Sequence, residues 1–281
     1  AARLLRRDKS DRAVTLLEAG ALVFSVVCVT AQARLFIHDG ALRSGAYLLS
    51  EASLNTLIWA SFAYGLFRKA GPAQGSVVTT GTRGLIYLTL AHIGLVHLFI
   101  LNPYGSGEAV GRWPVVNILF LAYALPALVL SAFHLPWHRD RLTAVFGIKN
   151  AALGTGLISV YAFILGLFYI TLEVTRAWHG SVLTAGTTSD GELYTYSLVW
   201  LLYAAILMGF GIWQRNHFVR MAAMMVIALV TGKIFLFDMA NLQGLLRVFS
   251  FFGLAVSLLG IGYLYQRFVV VETKGPDKAK L

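Results

Sequence analysis

The chain has 281 residues, 58% of them hydrophobic and only 13% charged, with a formal net charge of +10. A soluble domain of this length carries about 25% charged residues, and the deficit here runs the whole length, which excludes a soluble domain hung on a membrane anchor. The single cysteine, Cys28, excludes an internal disulfide framework and a thiolate metal cluster.

The start, residues 1–13, is a basic, polar tail with Arg3, Arg6, Arg7, Lys9 and Arg12, and it shows no small-residue cleavage site of the kind a signal peptide needs. It also lacks an initiating Met, so the chain is expected to be a fragment of something longer. Stretches long and apolar enough for a span, about 20 residues, fall at 14–37, 52–67, 84–101, 114–133, 151–172, 193–213, 219–237 and 245–266. The pattern predicts an all-α polytopic bundle of eight spans. Breakers separate them: Asp39-Gly40, Gly71-Pro72, Asn102-Pro103, and the glycines at 186 and 191. The second stretch is the most interrupted, by Asn55 and Ser61.

Basic residues orient these spans. Seventeen lie in the tails and the connections on the N-terminal side, against four on the other side (Arg43, Arg112, Arg176 and Arg247). Positive charge stays inside, so both termini are expected to be cytoplasmic. The net charge then reflects orientation and attraction to anionic lipid rather than a nucleic-acid footprint.

An internal repeat is also legible. Arg34-Leu-Phe-Ile-His38 closes the first span and Arg176-Ala-Trp-His179 closes the fifth. Glu51 and Glu192 follow, then Thr56 and Ser197, then Trp59 and Trp200, each pair separated by the same interval. That interval also sets His92 opposite Lys233 and His97 opposite Asp238. Spans 1–4 (14–137) and 5–8 (138–267) are therefore expected to be parallel repeats about an axis along the membrane normal, followed by a cytoplasmic tail at 268–281.

The candidate site residues crowd towards the outer face. Lys233, Asp238, Asn241, Arg247, Arg176, Glu173, His179, Arg34, Glu51, Glu192 and His97 are the candidates for substrate binding, with Asp238 or Glu173 as a general base. Ionisable groups in a span need a partner or a function. On an α-helix Asp238 lies about 140° round from Lys233, so Glu173 or Glu192 is expected to be the lysine's partner. The alternative to a polar pocket is a set of Arg–carboxylate pairs that fix helix ends. His92 and His97 do not have the i, i+4 spacing of a zinc helix, and His134 and His138 flank Pro136 beside the anchoring Trp137, so no metal is assigned. Gly154, Gly156, Gly260 and Gly262 are expected to allow close helix contact. No phosphate loop, dinucleotide fingerprint or nucleophile elbow is seen, and no cofactor is implied.

Lys233-Ile-Phe-Leu-Phe-Asp238-Met-Ala-Asn241-Leu-Gln-Gly244-Leu-Leu-Arg247, running on to Gly260-Ile-Gly-Tyr-Leu-Tyr-Gln-Arg267, resembles the closing signature of a bacterial family of predicted membrane proteins, domain of unknown function 2339. Leu172 to Gly180, Tyr196 to Trp200 and Asn117 to Tyr123 with Pro126 resemble it too, most strongly from residue 100 onward. Thr175 stands where the family pattern places an arginine directly after Val174, and Arg176 follows. Members are usually longer, which implies a C-terminal portion. The resemblance supplies no activity.

The expected protein is thus a multi-pass protein of the bacterial inner membrane that binds or moves a lipid-linked or anionic envelope substrate through an outward-facing polar pocket. A membrane-embedded transferase acting on lipid-linked sugar or acyl groups is one alternative, and a structural subunit is the other. Its partners would be membrane lipids, with the rest of a longer polypeptide or other membrane subunits, and no nucleic acid.

Overall fold

The computed structural model describes residues 11–40, 45–70, 76–134, 138–147, 150–183, 188–214, 216–238 and 245–267. Every regular element among them is helical, apart from an isolated antiparallel bridge between Ala109 and Val182. The order is α1 (Asp11–Ile37), α2 (Leu49–Lys69) and α3 (Ser76–His92), which runs on as a π-helix over Ile93–Ile100. The single turn α4 (Pro103–Ser106) follows, then a π-helix over Phe120–Ala124 entering α5 (Leu125–Ala132), α6 (Arg139–Phe146) and α7 (Ala151–His179). After α8 (Asp190–Trp213) comes α9 (His217–Lys233), which also runs on as a π-helix, over Ile234–Asp238, and then α10 (Leu245–Tyr265).

Among the described residues, five helices are long and apolar enough to cross a membrane: Arg12–Ile37, Val77–Ser106, Ala151–His179, Asp190–Trp213 and His217–Asp238. Two shorter apolar helices, Phe120–Ala132 and Phe251–Tyr265, accompany them among the described residues. The expected second span lies within α2, which is 21 residues long but carries Glu51, Asn55, Arg68 and Lys69. These polar groups lower its hydropathy without preventing its burial.

The chain forms two compact units, residues 1–169 with 179–184, and residues 170–178 with 185–281. In the first, α2 is the central helix. Glu51, Ala52, Ser53, Thr56, Ala60, Ala63 and Phe67 are all buried, while α1 turns Val23, Phe24 and Phe36 outward, as a helix facing hydrocarbon does. The free N-terminal amide of α2 is satisfied from outside the helix, since Leu49 N donates to the Glu108 carboxylate at 3.0 Å, an anion at a helix's positive end. Near α6, Arg141 donates to Nδ1 of His138 at 2.9 Å and His138 Nε2 meets the Tyr64 hydroxyl at 3.3 Å. His134 bonds Ser159 instead, at 3.0 Å. Gly154 is pressed against the Phe146 ring, which a Cβ would meet at 2.5 Å. Gly156, Gly260 and Gly262 have no such neighbour within 4 Å, so of these four glycines only Gly154 serves a close contact.

In the second unit α8 and α9 pack on each other. Ser189 caps α8 by accepting from Glu192 N, and Asn216 caps α9 by accepting from Phe218 N at 3.0 Å. Gly211 lets the backbone of Arg220 approach to 2.9 Å of where a Cβ would stand.

Candidate functional site

Each unit holds a polar cluster assembled around its buried glutamate helix. In the first, Arg34 and His38 at the end of α1 both reach Glu51 in the first turn of α2. Arg34 Nη1 donates to Glu51 Oε1, and His38 Nε2 lies 3.0 Å from Oε2. The Glu51 side chain is only 3% exposed, so these two partners compensate a carboxylate that would be costly to bury alone. One turn along α2, the Thr56 hydroxyl lies 2.9 Å from His92 Nδ1 and 2.9 Å from His97 Nε2. His92 Nε2 continues to the Tyr47 hydroxyl at 3.0 Å, Asn55 Nδ2 donates to that hydroxyl at 3.2 Å, and His97 Nδ1 lies 3.1 Å from the Ala122 carbonyl. Trp59 Nε1 donates to Thr30 Oγ1 at 3.0 Å. Tyr47 precedes α2, and its partial burial raises the phenol's pKa, so the group stays a protonated donor.

In the second unit Lys233 and Asp238 meet at 2.7 Å. This overturns the expectation that the lysine's partner would be Glu173 or Glu192. The wide angular separation holds for an α-helix, but here the chain turns as a π-helix from Ile234 to Asp238. A π-turn closes i to i+5, so it carries residue 238 back over residue 233. The π-helix after His92 does the same for His97, bringing the two imidazole centroids to 5.4 Å. Lys233 uses all three of its N–H bonds, donating to Asp238 Oδ1 at 2.7 Å, Ser197 Oγ at 2.7 Å and the Leu193 carbonyl at 2.9 Å. Ser197 in turn donates to Asp238 Oδ2. Arg176 Nε donates to Glu173 at 2.9 Å, and Tyr196 donates to Glu192 at 2.9 Å while meeting the Thr175 hydroxyl at 2.7 Å. Trp200 Nε1 donates to Thr171 Oγ1 at 3.0 Å.

A groove of about 430 Å³ lies in the first unit, walled by Val26, Val27, Ala31, Trp59 and Leu88 and edged by Thr30, Arg34, Tyr47, Glu51 and Asn55. Of the candidate residues, Arg34 and Glu51 line it, and His97 is buried, tied to Tyr47 through Thr56 and His92. Glu173, Arg176, Glu192, Lys233 and Asp238 form the second unit's cluster. His179 is exposed at the end of α7. Asn241 and the Arg247 side chain lie outside the described residues. Tyr47, Thr30, Thr171 and Tyr196 belong to these clusters without being among the candidates read from the sequence. The two threonines carry a signal, since each precedes its tryptophan by the same spacing and the pair repeats the interval that relates Trp59 to Trp200.

Long apolar helices with their polar groups gathered into buried, internally bonded clusters define a polytopic helical membrane protein. The chain belongs to the family of predicted membrane proteins called DUF2339, whose sequence pattern matches residues 1–268. The match therefore runs almost end to end. No curated protein and no solved structure matches the chain.

Proposed function

We propose that this protein binds an amphiphile, a lipid or lipid-linked envelope molecule, in the groove of its first unit. The observation that carries this reading is the groove's composition. Four aliphatic residues and Trp59 offer a wall for a hydrocarbon chain, and the polar residues Arg34, Glu51, Tyr47 and Asn55 stand at one edge, their polar atoms largely covered and engaged with one another. The second unit has a different character. There Asp238, the candidate general base, is engaged by Lys233 and Ser197, and the ammonium's donors are all used. That pattern favours a structural role for the second cluster over the transferase alternative.

The reading places the protein in the bacterial inner membrane with eight spans, both termini cytoplasmic and the polar edge of the groove outward, on the strength of the basic-residue distribution. It also takes the two halves as repeats. Supporting this are the matched bonds Trp59–Thr30 and Trp200–Thr171, the hydroxyls of Thr56 and Ser197 that each clasp an i, i+5 pair, and the π-helices that begin at Ile93 and Ile234. The decisive experiment is native mass spectrometry of the purified protein. It should retain an amphiphile that Ala31→Trp, which fills the groove, expels; retention undiminished by that substitution would contradict the reading.

A further inference from the structure

The hydrogen-bond chain behind the groove has a direction. The Ala122 carbonyl can only accept, so Nδ1 of His97 carries a proton. His97 is wholly buried, and a charged ring there would need a counter-charge; the ring is therefore taken neutral, and its Nε2 is an acceptor. The Thr56 hydroxyl proton is shared between that nitrogen and the Ala52 carbonyl, 3.0 Å away. With this proton committed, the Thr56 oxygen accepts from Nδ1–H of His92. Nε2 of His92 then accepts the Tyr47 phenol proton, and the phenol oxygen accepts from Nδ2 of Asn55.

Every link donates the same way, and the final consequence is at Asn55. Its amide cannot be turned over without setting two acceptors or two donors against each other. Oδ1 is therefore left over. It is buried without a hydrogen-bond partner in a residue that is 6% exposed and lines the groove. A buried acceptor with no partner is destabilising, and a donor entering from the groove would remove that penalty.

We propose that the groove selects an amphiphile whose head group presents a hydroxyl donor to Asn55 Oδ1, with its hydrocarbon chain along Val26, Val27, Ala31 and Leu88. An amide oxygen is a neutral acceptor, so a hydroxyl satisfies it without burying a charge, whereas an ammonium would bring one in. This rests on the groove being an amphiphile site, and the experiment separates the two claims.

The probes are 1,2-dioleoylglycerol and its 3-O-methyl ether, which differ only in the donor. Each is titrated into the purified full chain in phosphatidylcholine nanodiscs and counted by native mass spectrometry. The alcohol should bind about tenfold more tightly than the ether, the factor for about 1.4 kcal/mol. Asn55→Leu should erase the difference by weakening the alcohol. Equal wild-type affinity for both probes, with both expelled by Ala31→Trp, would overturn the hydroxyl claim and leave the groove standing. Failure of both probes to bind, or binding indifferent to Ala31→Trp, would overturn both claims. A preference that survives Asn55→Leu would overturn the assignment to Asn55 and place the selecting group elsewhere. The wild-type comparison of alcohol and ether decides the question even where the leucine variant does not fold.

Discussion

Lys233→Met removes the ammonium while keeping the length of an apolar stem. In the wild type Asp238 receives that ammonium at 2.7 Å and the Ser197 hydroxyl on its other oxygen, and its side chain is only 3% exposed. After the substitution one hydroxyl remains as the carboxylate's partner. Breaking a buried pair by deleting one member costs about 3–5 kcal/mol, because the remaining charge stays desolvated. The Ser197 and Leu193 bonds to Nζ disappear too, but those partners are neutral, and each such bond contributes only about 0.5–1.5 kcal/mol. The stranded carboxylate therefore dominates the loss. Adding Asp238→Asn should recover most of it, since the amide has no charge to strand. The assay is reversible unfolding of detergent-solubilised protein, comparing the wild type, both single variants and the double variant as a cycle. A Lys233→Met protein as stable as the wild type, or a double variant no better than Lys233→Met, would refute the structural pair and return the lysine to ligand binding.

Trp59→Phe and Trp200→Phe each remove one 3.0 Å bond to a threonine, so each should lower stability by a similar amount, about 0.5–1.5 kcal/mol in the same unfolding assay; a large inequality would weaken the repeat. His138 lies outside the apolar spans, and burial, followed by the Arg141 and Arg68 guanidiniums, holds its imidazole below the ordinary value of 6.5. The folded state thus resists a proton that the unfolded state accepts, so this contribution is complete above about pH 6.5 and is lost as the pH falls below it. Unfolding between about pH 7.5 and about pH 5.5 should show a shallower slope for His138→Gln than for the wild type. In a Cys28→Ser background, a cysteine at the exposed Ser106 should react with an impermeant thiol reagent added outside intact cells, and one at the exposed Asn150 should not; the reverse pattern would invert the orientation.

The helices are legible because membrane spans are written in composition, and the candidate polar positions stand out because ionisable groups are rare inside apolar runs. Lys233 and Asp238 both stand out in this way, but their partnership does not. An α-helical wheel sets residues five apart on different faces, and nothing in Ile234-Phe-Leu-Phe announces the wider π-turn that closes the gap. The same wheel separates His92 from His97. Glu51 and Glu192 match by spacing, and Tyr196, which donates to Glu192, stands where the same interval puts Asn55 in the first half. The sequence points to a polar pocket lined by both halves. The groove's walls instead come from residues such as Val26 and Leu88, which no polarity pattern distinguishes from their lipid-facing neighbours.

The central claim is that the first unit's groove holds an amphiphile, and photolabelling tests it most directly. A diazirine-bearing lipid is equilibrated with the protein in nanodiscs, irradiated, and its adducts mapped by peptide mass spectrometry. Adducts should concentrate on Val26, Val27, Ala31 and Leu88 and should be competed away by excess unlabelled dioleoylglycerol. Labelling spread evenly over outward residues such as Phe24, Leu202 and Phe252, with no competition at the groove, would contradict it.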